Sequence, residues 1–305
     1  MAGILSGLSH SGSDMFSSLG RRPIIGLSVE GVDLRVICVD KGKIVRIVSK
    51  PLEPELVPGG VVADPAAFGH AVRMILDEYE LPNATVVASF PDVNAISKML
   101  PLPKSATMNV AQVVEREARR DPVIGNGEYR IFHQVVDESP TEIMVFVLAV
   151  RNAPLTQYLE GLQQAAIVPQ MVDLRPLAMI RAINQPHIII ANIERTSLDV
   201  VIVSNNLPVI MRTMALSGND GEIVQDVVSE LERTIESYNS NHAQPLSPRL
   251  PVALTGEFSA LPDLRQAVTE RLGRQLAALP CPFAAPAGFD VANFVVNIGL
   301  VLKAR

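Results

Sequence analysis

The chain contains no tryptophan, and aromatic residues make up only 4% of its 305 positions. A surface that stacks nucleobases needs such rings, and the net charge of −6 gives no general attraction to phosphate, so nucleic acid is not an expected partner. Two cysteines, Cys38 and Cys281, are too few for a disulfide framework and fit a reducing compartment. The five histidines are scattered, none beside a second His or Cys at ligand spacing, so no metal site is expected. Long apolar runs are missing as well. The most apolar late stretch, 291–302, is interrupted by Asn293 and Asn297 and falls short of the roughly 20 residues a membrane helix needs, so no direct membrane insertion is expected. The first residues lack a basic segment followed by an apolar one, which argues against a signal peptide. Residues 1–22, rich in Ser and Gly, read as a flexible tail. No nucleophile elbow, Ser/His/Asp order or Walker string is present.

What is present is a large apolar fraction, 48% against 19% charged, enough for a sizeable core. The length allows two domains at about 100–200 residues each. Sliding the chain on itself shows why there are two. A displacement of 164 positions lays Ile24 on Ile188 and aligns two segments without a gap. Ile24-Ile-Gly-Leu-Ser-Val-Glu30 falls on Ile188-Ile-Ile-Ala-Asn-Ile-Glu194; Leu34, Val36 and Val39 fall on Leu198, Val200 and Val203; the turn Lys41-Gly42 falls on Asn205-Asn206. Each copy reads as strand, polar turn, strand, two-residue turn, strand, with turn residues that tolerate positive φ. Helical periodicity follows each copy. Asp64-Pro65 opens a helix through Phe68, Val72, Leu76 and Tyr79, and a second runs over 221–238. Short strands are expected over 84–90 and 251–255. Between the halves lie a helix from Ser105 to about Arg120, strands over 128–136 and 142–150, and helices over 153–167 and 174–183. Asp290 is expected to cap a closing helix. The pattern is α/β with two related lobes and a small insertion.

Several strings in order give this pattern a family likeness. Gly26-Leu-Ser-Val-Glu-Gly-Val-Asp-Leu-Arg35, Val172-Asp-Leu-Arg-Pro-Leu-Ala178, Leu216-Ser-Gly-Asn-Asp220, Glu232-Arg-Thr-Ile-Glu-Ser-Tyr238 and Leu254-Thr-Gly-Glu-Phe-Ser-Ala-Leu-Pro262 resemble motifs of the PilM family of type IV pilus assembly proteins, relatives of FtsA. The resemblance implies an actin/Hsp70-like fold built from duplicated ribonuclease-H-like halves. It places the first lobe at 23–185, an inserted subdomain of 1C type at about 100–150, and the second lobe at 186–305.

In ATP-using relatives the first turn supplies an Asp that helps position the metal and a Gly that lets amides approach phosphate. The resemblance puts Ser28 and Glu30 there, followed by Gly31, and puts Asn192 and Glu194 at the second phosphate turn. It counts Gly218 with these phosphate turns, and Arg233, Thr234, Gly256 and Glu257 fall in the adenosine region. A carboxylate about 8 Å from a phosphate charge repels it by roughly 2 kcal/mol at an effective dielectric of 20. Loss of the acidic pair also removes the ligands of a hard dication. The expectation is a pseudo-ATPase with no cofactor, and replacing Glu30 and Glu194 by glycine is expected to leave folding intact.

By the same resemblance the chain is a cytoplasmic scaffold held at the inner face of the cell membrane. Its partner is the N-terminal tail of a bitopic, PilN-like protein, received near Met99, Leu100, Leu102, Met108 and Val110, and a homo-oligomer or ring is possible on that likeness. Two alternatives stand beside it: an active actin-like ATPase that binds Mg-ATP through an altered metal shell, and a membrane-associated polymer former of FtsA type.

Overall fold

A computed structural model describes residues 22–91, 95–105 and 108–305. All but the last residue of the expected tail over 1–22 lies outside them. The first meander is β1 (Ile24–Glu30), β2 (Asp33–Asp40) and β3 (Lys43–Pro51), followed by helix α1 (Pro65–Glu78) and strand β4 (Thr85–Phe90). Asp64 caps α1, its side chain accepting from the Ala66 and Ala67 amides. With β8 (Met171–Leu174) these strands form one sheet in the order β3-β2-β1-β4-β8, in which β4 runs parallel to β1.

The second meander is β9 (His187–Ile193), β10 (Ser197–Ser204) and β11 (Leu207–Ala215), followed by α6 (Asp220–Asn241) and β12 (Val252–Thr255), which is parallel to β9. The sheet order is β11-β10-β9-β12, and a single parallel bridge from Val252 to Leu276 stands where the first sheet has β8. The repeat is accurate down to its irregularities. Register slips between Cys38 and Val39 in the first hairpin and between Ile202 and Val203 in the second, the same place at a displacement of 164. Lys41, Gly42, Asn205 and Asn206 all have positive φ, as a two-residue hairpin turn requires.

The insertion is a three-stranded antiparallel sheet, β5-β7-β6, of β5 (Ala95–Pro103), β6 (Tyr129–Glu138) and β7 (Glu142–Arg151). Helix α2 (Val110–Arg119) and the short α3 (Pro122–Gly125) cover one face through Val114, Ala118 and Ile124. Strand β5 was not expected, because Pro101 and Pro103 argue against a strand; it lies at a sheet edge, where a missing N–H is tolerated. Asn109, not Ser105, caps α2, accepting from the Gln112 amide.

Helix α4 (Asn152–Gln164) returns to the first lobe and packs on α1, with Gly161 against Phe68. Helix α5 (Arg175–Ile183) connects the lobes and is buried along almost its whole length. Helix α7 (Pro262–Glu270) covers the second sheet. The closing helix α8 (Val295–Lys303) lies on the first sheet and on α5. Asn297 donates to the carbonyls of Gly26 and Arg35, and Gly299 sits so close to α5 that a Cβ there would stand 1.9 Å from the Ala178 carbonyl. Asp290 does not cap α8; it accepts from the Asn293 amide and side chain in the short turn ahead of it. The main apolar core is continuous from the first sheet through α5 and α8 to Ile190 and Val201 of the second.

Candidate functional site

Strand β1 ends in Glu30 and β9 runs into Glu194, so the two turns that follow them meet across the lobes. A methyl group on Gly31 would stand 3.4 Å from Thr196 Oγ1 and 3.6 Å from Glu194 Cβ. The acids are interior. Glu30 and Glu194 are each 1% exposed, so neither is a solvated turn residue. Burying a carboxylate is expensive unless a cation comes with it. For Glu194 that cation is Arg35 of β2, bound in fork geometry with Nη1 2.8 Å from Oε1 and Nη2 2.7 Å from Oε2. Arg35 also donates to the Asn293 carbonyl at 3.1 Å and lies 3.6 Å from Asp33.

Glu30 meets Arg175, the first residue of α5, at 3.4 Å. The same guanidinium reaches Asp199 of β10, with Nε 3.0 Å from Oδ2. Asp199 further accepts from Thr213 Oγ1 at 2.8 Å and from Asn192 Nδ2 at 3.3 Å, and Thr255 Oγ1 donates to Asn192 Oδ1 at 2.9 Å. Five buried charges from both sheets and the connecting helix therefore form one network at the seam. Burial foremost pushes the Glu194 carboxyl up to about 7, with Arg35 pulling it down and the Glu30 charge adding to the rise. Burial works against the charge on Arg35, but its bonds to Glu194 outweigh that and raise its pKa.

The remaining residues expected at a nucleotide are also engaged within the chain. Ser28 Oγ donates to Asn297 Oδ1 at 3.4 Å. Gly218, at φ +116°, is backed by Glu222, which closes a capping box with Asn219 at the start of α6. Thr234 is buried against Glu230, Arg233 pairs with Glu230 at 3.0 Å, and Glu257 pairs with Arg195 of the second turn. Gly256, at φ +86°, packs tightly on the second turn, since a Cβ there would lie 2.5 Å from the Ile193 carbonyl and 2.8 Å from Glu194 Oε1. The Glu194 carboxylate thus fills the space between its own turn and the Gly256 loop.

These residues do not fit Mg-ATP. Hard-dication sites need several unpaired oxygen ligands and phosphate cradles need exposed amides, whereas here both Glu194 oxygens are bonded to Arg35, Glu30 and Asp199 share Arg175, and of these carboxylates only Glu30 Oε1 is left without a bond among the described residues. The expected repulsion of phosphate by two bare carboxylates changes accordingly: Glu194 is paired with Arg35, Glu30 shares Arg175 with Asp199, and the space between the turns is occupied. Beside the network a cleft of about 550 Å³ opens between the lobes, lined by Val32, Val57, Pro91, Met214 and Leu216. Among the described residues its one charged lining residue is Arg175, already held by two acids.

The five residues expected to wall a peptide groove do not share a face. Leu102 is buried in the subdomain core with Leu100, Met108 and Val110 against it, while Met99 points from the opposite face of β5 into the main core. Residues missed by the sequence reading are Arg35, Arg175, Asp199, Thr255 and Asn297. Arg35 and Arg175 stand inside the motif strings quoted above, and Arg35 and Asp199 are lone charges within apolar strand runs.

No family model matches the sequence, and no curated protein does. Solved structures do. The chain is similar to a chain of a PilM-PilN type IV pilus biogenesis complex at a TM-score of 0.76 and 22% identity, over 92% of this chain and 98% of that one. A Bacteroides thetaiotaomicron protein with an actin-like ATPase fold gives 0.54 and 9% identity over 95% and 99% of the two chains. The cytoplasmic domain of EpsL, an inner-membrane component of the type II secretion system of Vibrio cholerae, gives 0.52 and 13% over 92% and 94%. The chain has the two-lobed actin-like ATPase fold, and among solved structures it resembles that of PilM.

Proposed function

We propose that this chain is a scaffold of the type IV pilus assembly machinery, held at the cytoplasmic face of the inner membrane by capturing the cytoplasmic tail of a bitopic, PilN-like protein, and that it hydrolyses no ATP. The observation that carries the reading is the contrast within one molecule. The fold follows the PilM of a PilM-PilN complex over nearly its full length, while the facing turns are closed on each other by Arg35 and Glu194. Capturing an extended or helical peptide needs a groove or a sheet edge and no nucleotide. The concave surface of about 410 Å³ at the base of the insertion, lined by Val123, Tyr129, Arg151 and Pro154, is the candidate seat. Val123 is 57% exposed there, an apolar side chain with no interior role. Among the described residues no helix is long and apolar enough to cross a membrane, so attachment through a partner supports the same reading.

The test uses a labelled synthetic peptide spanning the partner's N-terminal tail, titrated with the folded chain in the absence and presence of Mg-ATP. Binding is expected in both conditions with the same affinity. Val123→Asp is expected to weaken it at least about tenfold, the equivalent of about 1.4 kcal/mol, without lowering thermal stability. A ligand at 100 times its dissociation constant stabilises a fold by about 2.7 kcal/mol, so an upward melting shift with millimolar Mg-ATP would overturn the nucleotide-free reading. A folded chain that ignores the peptide would overturn the scaffold.

A further inference from the structure

The duplication sets charges at the interlobe seam in a pattern that one side satisfies and the other does not. The displacement of 164 carries Ser28 onto Asn192, Glu30 onto Glu194 and Arg35 onto Asp199. The cross-strand pairs Ser28–Arg35 and Asn192–Asp199 hold the same place in their sheets. In one direction across the seam, Arg35 of the first lobe meets Glu194 of the second. The reciprocal contact, residue 199 of the second lobe toward residue 30 of the first, is acid against acid. Two carboxylates taken out of water at short range cannot both stay ionised without a cation between them. That cation comes from outside the duplicated hairpins. Arg175, at the start of the connecting helix α5, lies 3.4 Å from Glu30 and 3.0 Å from Asp199 and is 4% exposed.

We infer that Arg175 is the keystone of an interlobe latch, a positioning residue that holds the facing turns of the two lobes together by cancelling the Glu30–Asp199 repulsion, so that closure of the seam beside the cleft is built into the chain. With Arg35–Glu194 it makes two cross-seam contacts, one on each side of the pseudo-symmetric junction. The latch deepens the ligand-free reading of the cleft and uses nothing about the partner peptide.

The experiment measures closure in the absence of peptide and nucleotide. Spin labels on Met74→Cys in α1 and Asp226→Cys in α6, with Cys281→Ser, report the distance between lobes; amide exchange over 29–33 and 193–198 reports the turns. Arg175→Met is expected to lengthen or broaden the distance and to speed exchange at both turns at least tenfold. Adding Asp199→Arg to Arg175→Met rebuilds the Arg35–Glu194 pair on the other side, now with Glu30, and is expected to restore the wild-type distance and protection. Glu30→Gln with Asp199→Asn is expected to make Arg175→Met harmless, because no repulsion is left to cancel.

An unchanged distance and unchanged exchange in Arg175→Met would overturn the latch, as would a rescue variant no more closed than Arg175→Met alone. If Arg175→Met does not fold, recovery of a folded, closed chain by either rescue supports the latch, and recovery by neither overturns it. A stabilising effect of Mg-ATP on the wild type would sink the ligand-free reading and leave the Arg175 result standing.

Discussion

Glu194 is the residue whose surroundings set a measurable pH dependence. Its carboxyl is raised from the ordinary 4.5 to about 7, burial being the largest cause. The folded chain therefore keeps a proton between those values that the unfolded chain gives up. Because the folded value is the higher one, the stability this adds is fully present below the unfolded value and is lost as pH rises through about 7. The urea midpoint is expected to fall as pH goes from 5 to 8, and Glu194→Gln is expected to flatten that dependence; an equal slope in the variant would assign it to other groups. The acids themselves were legible in the sequence, because the repeat aligns Glu30 with Glu194. Their cations were not, since nothing along the chain ties Arg35 to a residue in the other half. One signal was available. Leu34-Arg35-Val36 and Leu198-Asp199-Val200 put single charges in strands whose neighbours on both sides are apolar. A strand buried on both faces cannot leave a charge in water, so each had to have a buried partner.

Elements were easier to read than contacts, and the reason is local chemistry. The two hairpins announce themselves through residues that accept positive φ, and both copies of the turn carry them. Strand β5 was hidden by its prolines, and the start of α2 was misplaced because Ser105 and Asn109 are both competent caps, a choice that tertiary packing decides. The helix pair α5 and α8 could not be inferred, since its close approach depends on Gly299 lying over the α5 backbone. That contact gives a prediction at this scale. Gly299→Ala forces backbone apart and is expected to cost about 1–3 kcal/mol, as overpacking of a tight interface does. Gly221→Ala, in the open first turn of α6, is expected to be neutral or to add up to about 1 kcal/mol. Urea unfolding of both variants checks the pair; equal effects would mean that helix propensity, not the α5–α8 contact, governs both sites.

At the scale of the whole molecule the question is what joins the lobes. The apolar core already runs from one sheet to the other through α5 and α8, so the charged seam is not needed for cohesion alone. Buried ion pairs seldom add net stability over apolar groups of the same size, but removing one partner strands the other, at about 3–5 kcal/mol. This reverses the expectation drawn from the turns. Glu30→Gly with Glu194→Gly takes the carboxylate from Arg35 and one of the two from Arg175, and it is expected to destabilise the chain by several kcal/mol rather than leave folding intact. The sharper measurement is a double-mutant cycle across the seam. Arg35→Met alone strips Glu194 of the cation bonded to both its oxygens and leaves it beside Glu30, whose Arg175 is shared with Asp199, and Glu194→Leu alone leaves Arg35 without its fork partner, with Asp33 at 3.6 Å and Glu30 as the remaining acids. Each single change is expected to cost about 3–5 kcal/mol, and the two together much less than the sum, because no unpaired charge remains. Additive losses would mean that the pair contributes through separate contacts, such as the bond from Arg35 to the Asn293 carbonyl, and that the lobes are not coupled through it. A strong coupling would instead show that the seam's charges act on conformation, fixing one closed arrangement of two halves that the core alone would hold together more loosely.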